Sequence, residues 1–352
     1  MFFSGFLFFG RAMTRKRTMI SDLVEGDIII PDSLCYFLVR KSSVRVGRNN
    51  QKYIDADLFD GTTNANCKVW DVRDDIEEVL KAGNVVKVLN GKVSSYQSNI
   101  QIVINDAEMV SSEELESDCT GLLPESKWSA QELKEKWEKI SGDLDEKHKV
   151  ILKEFETFEP KVWEMFTTIP AGRSMHHACR RGLWEHSLSV AEVSGKVAGI
   201  YQSFYPVNRS LVVLASLIHD VGKIFEFQLN RTTAMVEKYS DRGKLLGHVY
   251  MGATWVEKLL SKVFPEDREL KMELLHIMLS HHGEYEFGSP KKPKTMEALI
   301  VSMADNLDAN LDAVNIGFNS EMDENWTKTV FSLQRTFFKT GNDGPIHHED
   351  KT

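Results

Sequence analysis

The spacing of apolar residues divides the chain into a β-rich part and a helical part. Between residues 20 and 110, short apolar or alternating runs are separated by turn signals such as Pro31-Asp32, Asp60-Gly61 and Asn90-Gly91. About five strands at this spacing, with one short helical stretch near Asp74 to Leu80, are typical of a small closed sheet. The pattern therefore predicts an all-β barrel at residues 20–110.

From residue 160 onward the apolar residues recur at a spacing near 3.6, which indicates amphipathic helices. The helical stretches are Leu183 to Ile200, Ser210 to His219, Leu246 to Val263, Asp267 to Ser280 and Thr295 to Val314. An all-α bundle is thus expected over residues 161–340. Residues 111–160 are acidic and helical, and a capping box that begins at Ser129 opens one of their helices. We interpret them as a helical connector.

Two terminal segments are set apart from these domains. Residues 1–19 begin with a Phe-rich run that precedes its basic residues, the reverse of a secretory signal. We interpret this extension as the result of a start site assigned too far upstream, and we expect the chain to begin at Met13 or Met19. Residues 341–352 are a polar tail that we expect to be disordered.

Composition narrows the class of protein. No stretch approaches the roughly 18 apolar residues that span a bilayer, so no stable membrane association is expected. The four cysteines lie far apart without a C-x-x-C pair. This spacing excludes a zinc knuckle and a disulfide framework, and it predicts a cytoplasmic protein.

The net charge of −9 is unevenly distributed, since residues 11–110 carry 14 basic and 14 acidic side chains. An acidic chain argues against indiscriminate binding to nucleic acid. Within the neutral part, a window of 13 residues without an acid contains Arg40, Lys41, Arg45, Arg48 and Lys52. This window suits a groove that follows phosphates, although charge alone favours a solvated strand edge.

The predicted order of three strands, a short helix and two strands matches an OB-fold. Such barrels bind single strands by stacking bases on aromatic side chains beside a basic groove. Tyr53, Trp70 and Tyr96 are the candidates for this face, together with Arg40, Arg45 and Arg48, although each aromatic residue suits the barrel core equally well. Phe59 is expected in the core.

Histidine and aspartate residues recur at the ends or on the apolar turns of the predicted helices. The series is His186, His219-Asp220, His248, His281-His282 and Asp305. Each residue alone is a weak signal, but helical bundles build metal sites from such inward-pointing side chains. Imidazole and carboxylate without thiolate suit Mn, Fe, Co, Ni or Zn, and argue against a structural zinc site.

The order H…HD…H…HH…D, with HD-x-G-K at its centre, resembles that of the HD-domain metal-dependent phosphohydrolases. Segments 182–188, 215–223, 279–290 and 298–309 resemble one subgroup, the OB-fold plus HD-domain 3′-to-5′ exoribonucleases of the YhaM type. The resemblance covers about residues 20–340. It implies a multidomain fold, with an OB-fold barrel followed by an HD-domain bundle.

The resemblance also implies the metal ligands. It assigns His186, His219, Asp220 and Asp305 to a first divalent ion, for which manganese is favoured. His248 and His281 match the ligands of a second ion, with Asp220 as the bridge. His282 is either a ligand or a donor behind the ligands, and whether one or two ions bind stays open.

Four further groups are candidates for the chemistry beside Asp220. Lys223 follows Asp220 by three residues and is expected to contact the reacting phosphate, unless it is a surface lysine after a helix end. His176-His177 precede the first ligand helix together with Arg173, Arg180 and Arg181. These residues either hold substrate phosphates or protonate the leaving oxygen, or they belong to a basic loop paired with the acidic connector, and His177, Arg173 and Arg181 are the candidates chosen from them.

Three other residues are weighed separately. His148 is expected at the surface, and His276 is expected to have a structural role. Asp308 shares a helix face with Asp305 and could orient a ligand histidine, although capping and ion-pair roles are as common.

Three functions compete. The first is a metal-dependent 3′-to-5′ exoribonuclease that acts on single-stranded RNA, with single-stranded DNA as an alternative substrate. The second is a phosphohydrolase of small nucleotides. It includes cyclic dinucleotides, although their GYP signature is absent after His219-Asp220. The third is a non-catalytic single-strand-binding factor. The residues alone support only metal-dependent phosphoester chemistry, and the oligomeric state stays open.

Overall fold

The computed structural model describes residues 17–47, 49–96, 99–119, 121–173, 176–230, 233–320 and 322–340. Residues 1–16 of the predicted extension, the candidate Arg48 and the tail at 341–352 lie outside the described residues. The chain forms two compact units. One contains the residues up to Leu123 with Asn230–Thr233, and the other contains Pro124–Leu229 and the residues from Ala234 onward. The division falls within the predicted connector.

The first unit is a closed β-barrel. Its strands are β1 (Ile28–Ile29), β2 (Tyr36–Val46), β3 (Lys52–Phe59), β4 (Asn64–Val69), β5 (Val85–Tyr96) and β6 (Asn99–Met109). They are hydrogen-bonded in the order β1-β5-β2-β3-β4-β6, and β5 also pairs with β6, which closes the sheet. The β4–β6 pair is parallel and the others are antiparallel. Helix α1 (Asp74–Val79) lies between β4 and β5, and α2 (Ser112–Ser117) follows β6.

Alternation along β3 shows how the barrel sorts its side chains. Ile54, Ala56 and Leu58 are buried in the barrel, while the residues between them are only partly covered. The expectation that Phe59 lies in the core is wrong. Phe59 follows Asp57 by two residues and therefore faces the same, outer side of the strand. There the Arg40 guanidinium lies 3.4 Å from the centre of the Phe59 ring.

The second unit is a helical bundle with two short hairpins. Its elements are α3 (Ala130–Gly142), α4 (Glu146–Thr157), α5 (Pro160–Phe166), α6 (Gly182–Tyr201), α7 (Arg209–Ile218), α8 (Lys223–Glu226), β7 (Phe227–Leu229), β8 (Val236–Tyr239), α9 (Asp241–Val263), α10 (Arg268–Ser280), α11 (Met296–Phe318), β9 (Met322–Asp323) and β10 (Trp326–Thr327). The predicted class, a barrel followed by a helical bundle, is confirmed. No helix in the described ranges is both long and apolar enough to cross a membrane.

The core of the bundle lies between α4, α6, α7, α9, α10 and α11, whose apolar sides form one cluster. Helix α7 is buried along almost its whole length, which explains its nearly unbroken apolar sequence. His148 is buried in this region and not at the surface as predicted. Its Nδ1 lies 2.7 Å from the Ser210 hydroxyl, which satisfies the ring inside the protein.

Two glycines place His248 beside the start of α8. Gly247 has a φ of 71° and interrupts α9 directly before His248, in a conformation that favours glycine. Gly222 has no room for a side chain, because a Cβ there would lie 1.9 Å from the His248 carbonyl oxygen. The chain can therefore bring α8 and α9 together only with glycine at position 222.

We expect Gly222→Ala to lower the free energy of unfolding by about 1–3 kcal/mol, as overpacking does in a dense interior. Urea unfolding of the metal-free protein would measure the change. Gly199→Ala in α6 is the control, because its Cβ would meet Arg209 at an ordinary 3.6 Å. Equal loss of stability in the two variants would contradict the steric argument.

Candidate functional site

All seven predicted metal ligands converge inside the bundle. They come from α6 (His186), the end of α7 (His219 and Asp220), α9 (His248), the end of α10 (His281 and His282) and α11 (Asp305). Helices α7 and α10 each end one residue before a ligand pair. The pairs His219-Asp220 and His281-His282 therefore directly follow a regular helix. The chain thus brings together residues that are up to 119 positions apart.

A first donor set surrounds one oxygen of Asp220. His186 Nε2 lies 3.4 Å from Asp220 Oδ2 and 3.2 Å from Asp305 Oδ1. His219 Nε2 lies 3.4 Å from the same Asp220 oxygen and 3.3 Å from His186 Nε2. Donors about 2.0–2.2 Å from one ion lie roughly 3.0–3.5 Å apart. The spacing therefore fits one divalent cation.

A second donor set surrounds the other oxygen of Asp220. His248 Nε2 lies 3.4 Å and His281 Nε2 lies 3.6 Å from Asp220 Oδ1. His282 Nε2 lies 3.2 Å from His248 Nε2, so its ring faces the same place. Asp220 is thus positioned as the bridge between two sets, and His282 is a member of the second.

The hydrogen bonds of the five histidines leave every Nε2 lone pair directed into the site. Each Nδ1 lies within hydrogen-bond distance of an oxygen that only accepts, so Nδ1 carries the proton in the neutral ring. The acceptors are Asp308 Oδ2 for His186 (2.7 Å), the Ser216 carbonyl for His219 (2.8 Å), Glu226 Oε1 for His248 (3.0 Å), the Met278 carbonyl for His281 (2.6 Å) and the Phe287 carbonyl for His282 (2.8 Å). This is the tautomer that binds a metal through Nε2.

Two buried atoms in the site lack a partner. Asp220 Oδ1 and His281 Nε2 have no hydrogen-bond partner among the described residues, although both are buried. Such orphaned polar atoms are costly in a protein interior. A divalent cation in the second donor set would satisfy both, so the residues present fit a metal.

The charges of the site are strongly coupled. Burial raises the pKa of Asp220, but the Lys223 ammonium and the His219 ring hold it well below its usual range. Lys223 Nζ lies 2.6 Å from Asp220 Oδ2. Burial lowers the pKa of His219, and the Asp220 and Asp305 carboxylates raise it to about 9. Protons and metal ions therefore compete for these ligands.

Asp308 acts behind the first donor set. Its Oδ2 accepts from His186 Nδ1 and, at 2.9 Å, from His177 Nε2, while its Oδ1 accepts from the Ser189 hydroxyl. Of the roles considered for Asp308, orientation of a ligand histidine agrees with this geometry, and the histidine is His186. The geometry does not support His177 as a catalytic residue, because its ring is held behind His186 and not in the cavity described next.

A cavity of about 360 Å³ opens onto the two donor sets, and we call it the metal cavity. Besides the ligands, it is lined by Arg173, His176, Lys223, Glu226, Asn306 and the aromatic residues Phe227, Tyr239 and Phe287. Burial lowers the pKa of His176 to about 4, so its ring is neutral at pH 7. The sequence analysis chose His177 as the candidate and not the adjacent His176. Only the turn of the backbone between the two residues determines that His176, and not His177, lines the cavity.

The two predicted substrate-binding arginines separate. Arg173 is exposed and lines the metal cavity. Arg181 is instead paired with Glu125, with its Nη2 3.0 Å from Oε2, and Arg180 Nη1 lies 3.3 Å from the other oxygen. The ion pair of Arg181 is the one expected of a basic loop paired with the acidic connector. His276 has the expected structural role, since it accepts from the Lys294 backbone N–H.

On the barrel, β3 and β4 display a mixed aromatic and basic patch. The Tyr53 and Trp70 rings lie 5.2 Å apart, and Lys68 Nζ lies 5.0 Å from the Tyr53 ring centre. Trp70 is 59% exposed although it is large and apolar. Arg45 and Lys68 both pair with Asp55, at 3.1 and 2.7 Å.

Lys68 was missed, and Phe59 was expected in the core. Both share the outward alternation of their strands with the aromatic candidates, and that pattern is present in the sequence. Tyr96 is exposed at the end of β5. Arg48 lies outside the described residues.

Comparisons with known proteins agree with this architecture. A family model described as "OB-fold nucleic acid binding domain" matches residues 38–110, and the HD domain model matches residues 183–310. The chain is therefore a two-domain protein with an OB-fold followed by an HD domain, as the fold class predicted.

The resemblance found in the motifs is also confirmed. The chain is 27% identical over 306 residues to the 3′-5′ exoribonuclease YhaM of Geobacillus sp. (strain WCH70), which covers 86% of this chain and 90% of that protein.

Two solved structures are similar over single domains. The second OB-fold domain of replication protein A from Methanococcus maripaludis matches 27% of this chain and 94% of its own, at 16% identity and a TM-score of 0.20. The HD domain of the L. monocytogenes phosphodiesterase PgpH matches 47% of this chain and 76% of its own, at 17% identity and a TM-score of 0.28.

We expect Asp308→Asn to weaken metal binding by about 10–100-fold, because His186 loses its charged acceptor. Calorimetric titration of the metal-free protein with Mn²⁺ would measure the affinity. Asp312→Asn is the matched control: Asp312 lies one turn further along α11 and accepts from the His177 backbone N–H, not from a ligand histidine ring among the described residues. Unchanged affinity in Asp308→Asn would show that Asp308 does not support the metal site.

Proposed function

We propose that this chain is a metal-dependent 3′-to-5′ exoribonuclease that releases 5′-mononucleotides from single-stranded RNA. The observation that carries the proposal is the buried Asp220 carboxylate, whose two oxygens face two separate sets of histidines. Two-metal sites of this kind serve phosphoester hydrolysis. The OB-fold in the same chain and the similarity to YhaM support a polymeric nucleic-acid substrate.

A divalent cation in such a site lowers the pKa of water towards about 7 and neutralises charge on phosphoryl oxygens. In the reaction, the oxygen of a water molecule bonds to the terminal phosphorus. The bond from phosphorus to the 3′-oxygen of the preceding nucleotide breaks, and this oxygen takes up a proton. Manganese is the ion we propose among those that imidazole and carboxylate ligands without thiolate accept, which also include Fe, Co, Ni and Zn.

The remaining residues of the metal cavity have separate tasks. Lys223 is 7% exposed and lies at the cavity wall, where its ammonium stabilises negative charge that develops on the phosphate. To His176, which lines the cavity, we assign a hydrogen bond to the leaving oxygen, the role first considered for His177. Arg173 lines the cavity with an exposed side chain that attracts the substrate phosphates.

In this proposal, the barrel binds the single-stranded RNA. Tyr53 and Trp70 offer ring faces on which bases stack, with Arg45 and Lys68 beside them for the phosphates. The Arg40 guanidinium lies over the Phe59 ring and provides a further pair of positive charge and aromatic side chain along β3. This mode of binding accepts many sequences, because every base has a stacking face. Four unpaired cysteines, at positions 35, 67, 119 and 179, are consistent with the cytoplasmic location that we propose.

A phosphohydrolase of small nucleotides is the second candidate. The observation that favours it is the size of the metal cavity, about 360 Å³, near the lower limit for ligand sites. An exonuclease also cleaves one nucleotide at a time, so the cavity suits both. Turnover of a polymer distinguishes them.

We expect purified protein with Mn²⁺ to shorten a 5′-labelled single-stranded RNA stepwise from its 3′ end. Asp220→Asn keeps the shape of the residue but removes the bridging charge, and it should lose at least 10²-fold in rate. Glu192→Gln, an exposed carboxylate on α6, should leave the rate unchanged. Intact RNA with the unmodified protein would overturn the exonuclease and move the search to small nucleotides.

We expect Trp70→Ala to weaken binding of a 20-nucleotide RNA by about tenfold, the effect of losing one stacked base. Fluorescence anisotropy in the presence of a chelator measures binding without cleavage. Ile28→Ala, at an exposed apolar residue of the same unit, is the control. If both variants bind as tightly as the unmodified protein, the Trp70 face is not where the strand lies.

A further inference from the structure

Three aromatic residues line the metal cavity without binding a metal. Phe227 and Tyr239 face each other across the β7–β8 pair, with ring centres 5.5 Å apart and planes at 64°. Phe287 contributes from the turn after α10. Phosphoester hydrolysis at the two donor sets does not require any of them, so their presence in the cavity needs a separate explanation.

Phe287 is anchored to the metal centre through its backbone. Its carbonyl oxygen accepts from His282 Nδ1 at 2.8 Å, and Gly288 ends the turn with a φ of 84°. The Phe287 side chain is nevertheless 62% exposed, although it borders the cavity. The backbone thus fixes a large apolar ring close to a metal ligand and leaves the ring uncovered.

Tyr239 is tied to the other side of the second donor set. Its partner Phe227 directly follows Glu226, which accepts from His248 Nδ1. Phe227 is 7% exposed and supports Tyr239, which is 38% exposed. Two partly exposed aromatic rings, Tyr239 and Phe287, are therefore held next to residues that orient metal ligands.

We propose that Tyr239 and Phe287 form a nucleobase subsite for the 3′-terminal nucleotide, whose phosphate lies at the metal centre. A planar base is the ligand group that gains most from aromatic faces beside a phosphate site, and stacking accepts all four bases. The cavity of about 360 Å³ accommodates one nucleotide unit. The inference rests on the proposed function, since it assigns the nucleotide that this site would release.

Calorimetric titration with adenosine 5′-monophosphate and with ribose 5-phosphate, in the presence of Mn²⁺, measures how much the base contributes to the binding affinity. The two ligands share sugar and phosphate and differ only in adenine. We expect the unmodified protein to bind the nucleotide about tenfold more tightly than the sugar phosphate. Phe287→Ala should lose this preference and keep its affinity for ribose 5-phosphate. Phe287→Tyr retains a ring and should retain the preference.

Two controls separate the subsite from general effects. Phe204→Ala removes a 73% exposed phenylalanine that does not line the cavity, and it should bind both ligands normally. Mn²⁺ affinity should be the same in Phe287→Ala and the unmodified protein, because the anchoring contact is made by the backbone.

Equal affinity of the unmodified protein for the two ligands, or no binding of the nucleotide at millimolar concentration, would overturn the subsite. So would an undiminished preference in Phe287→Ala. Failure of the proposed function looks different: RNA would stay intact while the nucleotide preference and its loss in Phe287→Ala persist. The binding measurement therefore judges the subsite independently of exonuclease activity.

Discussion

Burial of the Asp220 carboxylate is the constraint on which the helical unit depends. The residue is 2% exposed, and an isolated carboxylate in such a place would be strongly unfavourable. Lys223 compensates part of the charge, yet Oδ1 stays without a partner among the described residues. The helices that carry the histidines must therefore meet around this one group. Gly222, which lets α8 lie against the His248 backbone, serves the same convergence.

The histidines are oriented by a device that the chain uses twice. His219 and His281 each follow the last residue of a helix, and each bonds a carbonyl oxygen three residues earlier, where the helix leaves carbonyls unpaired. A helix end thus supplies the acceptor that sets the tautomer. His186 and His248 lie within helices, so no unpaired carbonyl of a helix end is available to them. Their Nδ1 atoms bond carboxylates instead, Asp308 for His186 and Glu226 for His248. Each donor set contains one ligand of each kind, and the second set also contains His282, whose Nδ1 donates to the Phe287 carbonyl oxygen.

The sequence predicted which histidine and aspartate side chains come together better than it predicted what surrounds them. Ligand histidines stand at helix ends and on apolar turns, and such positions are visible in a periodic pattern. Glu226 was missed because nothing in its spacing connects it to His248, 22 residues later. The ion pair of Arg181 could not be located from the sequence because its acidic partner lies 56 residues away, and His148 was placed wrongly because burial of a polar ring depends on tertiary packing. Phe59 is different: strand alternation already placed it outside.

In the proposed function, base stacking contributes more to RNA binding than the net charge of the chain does. The whole molecule carries −9, and on the barrel Asp55 pairs with both Arg45 and Lys68, so these cations contribute less free charge than their number indicates. Ring faces are not weakened by such pairing. In the proposed mode of binding, the exposed Trp70 beside Tyr53 would hold the strand by stacking, while its phosphates meet only local positive charge.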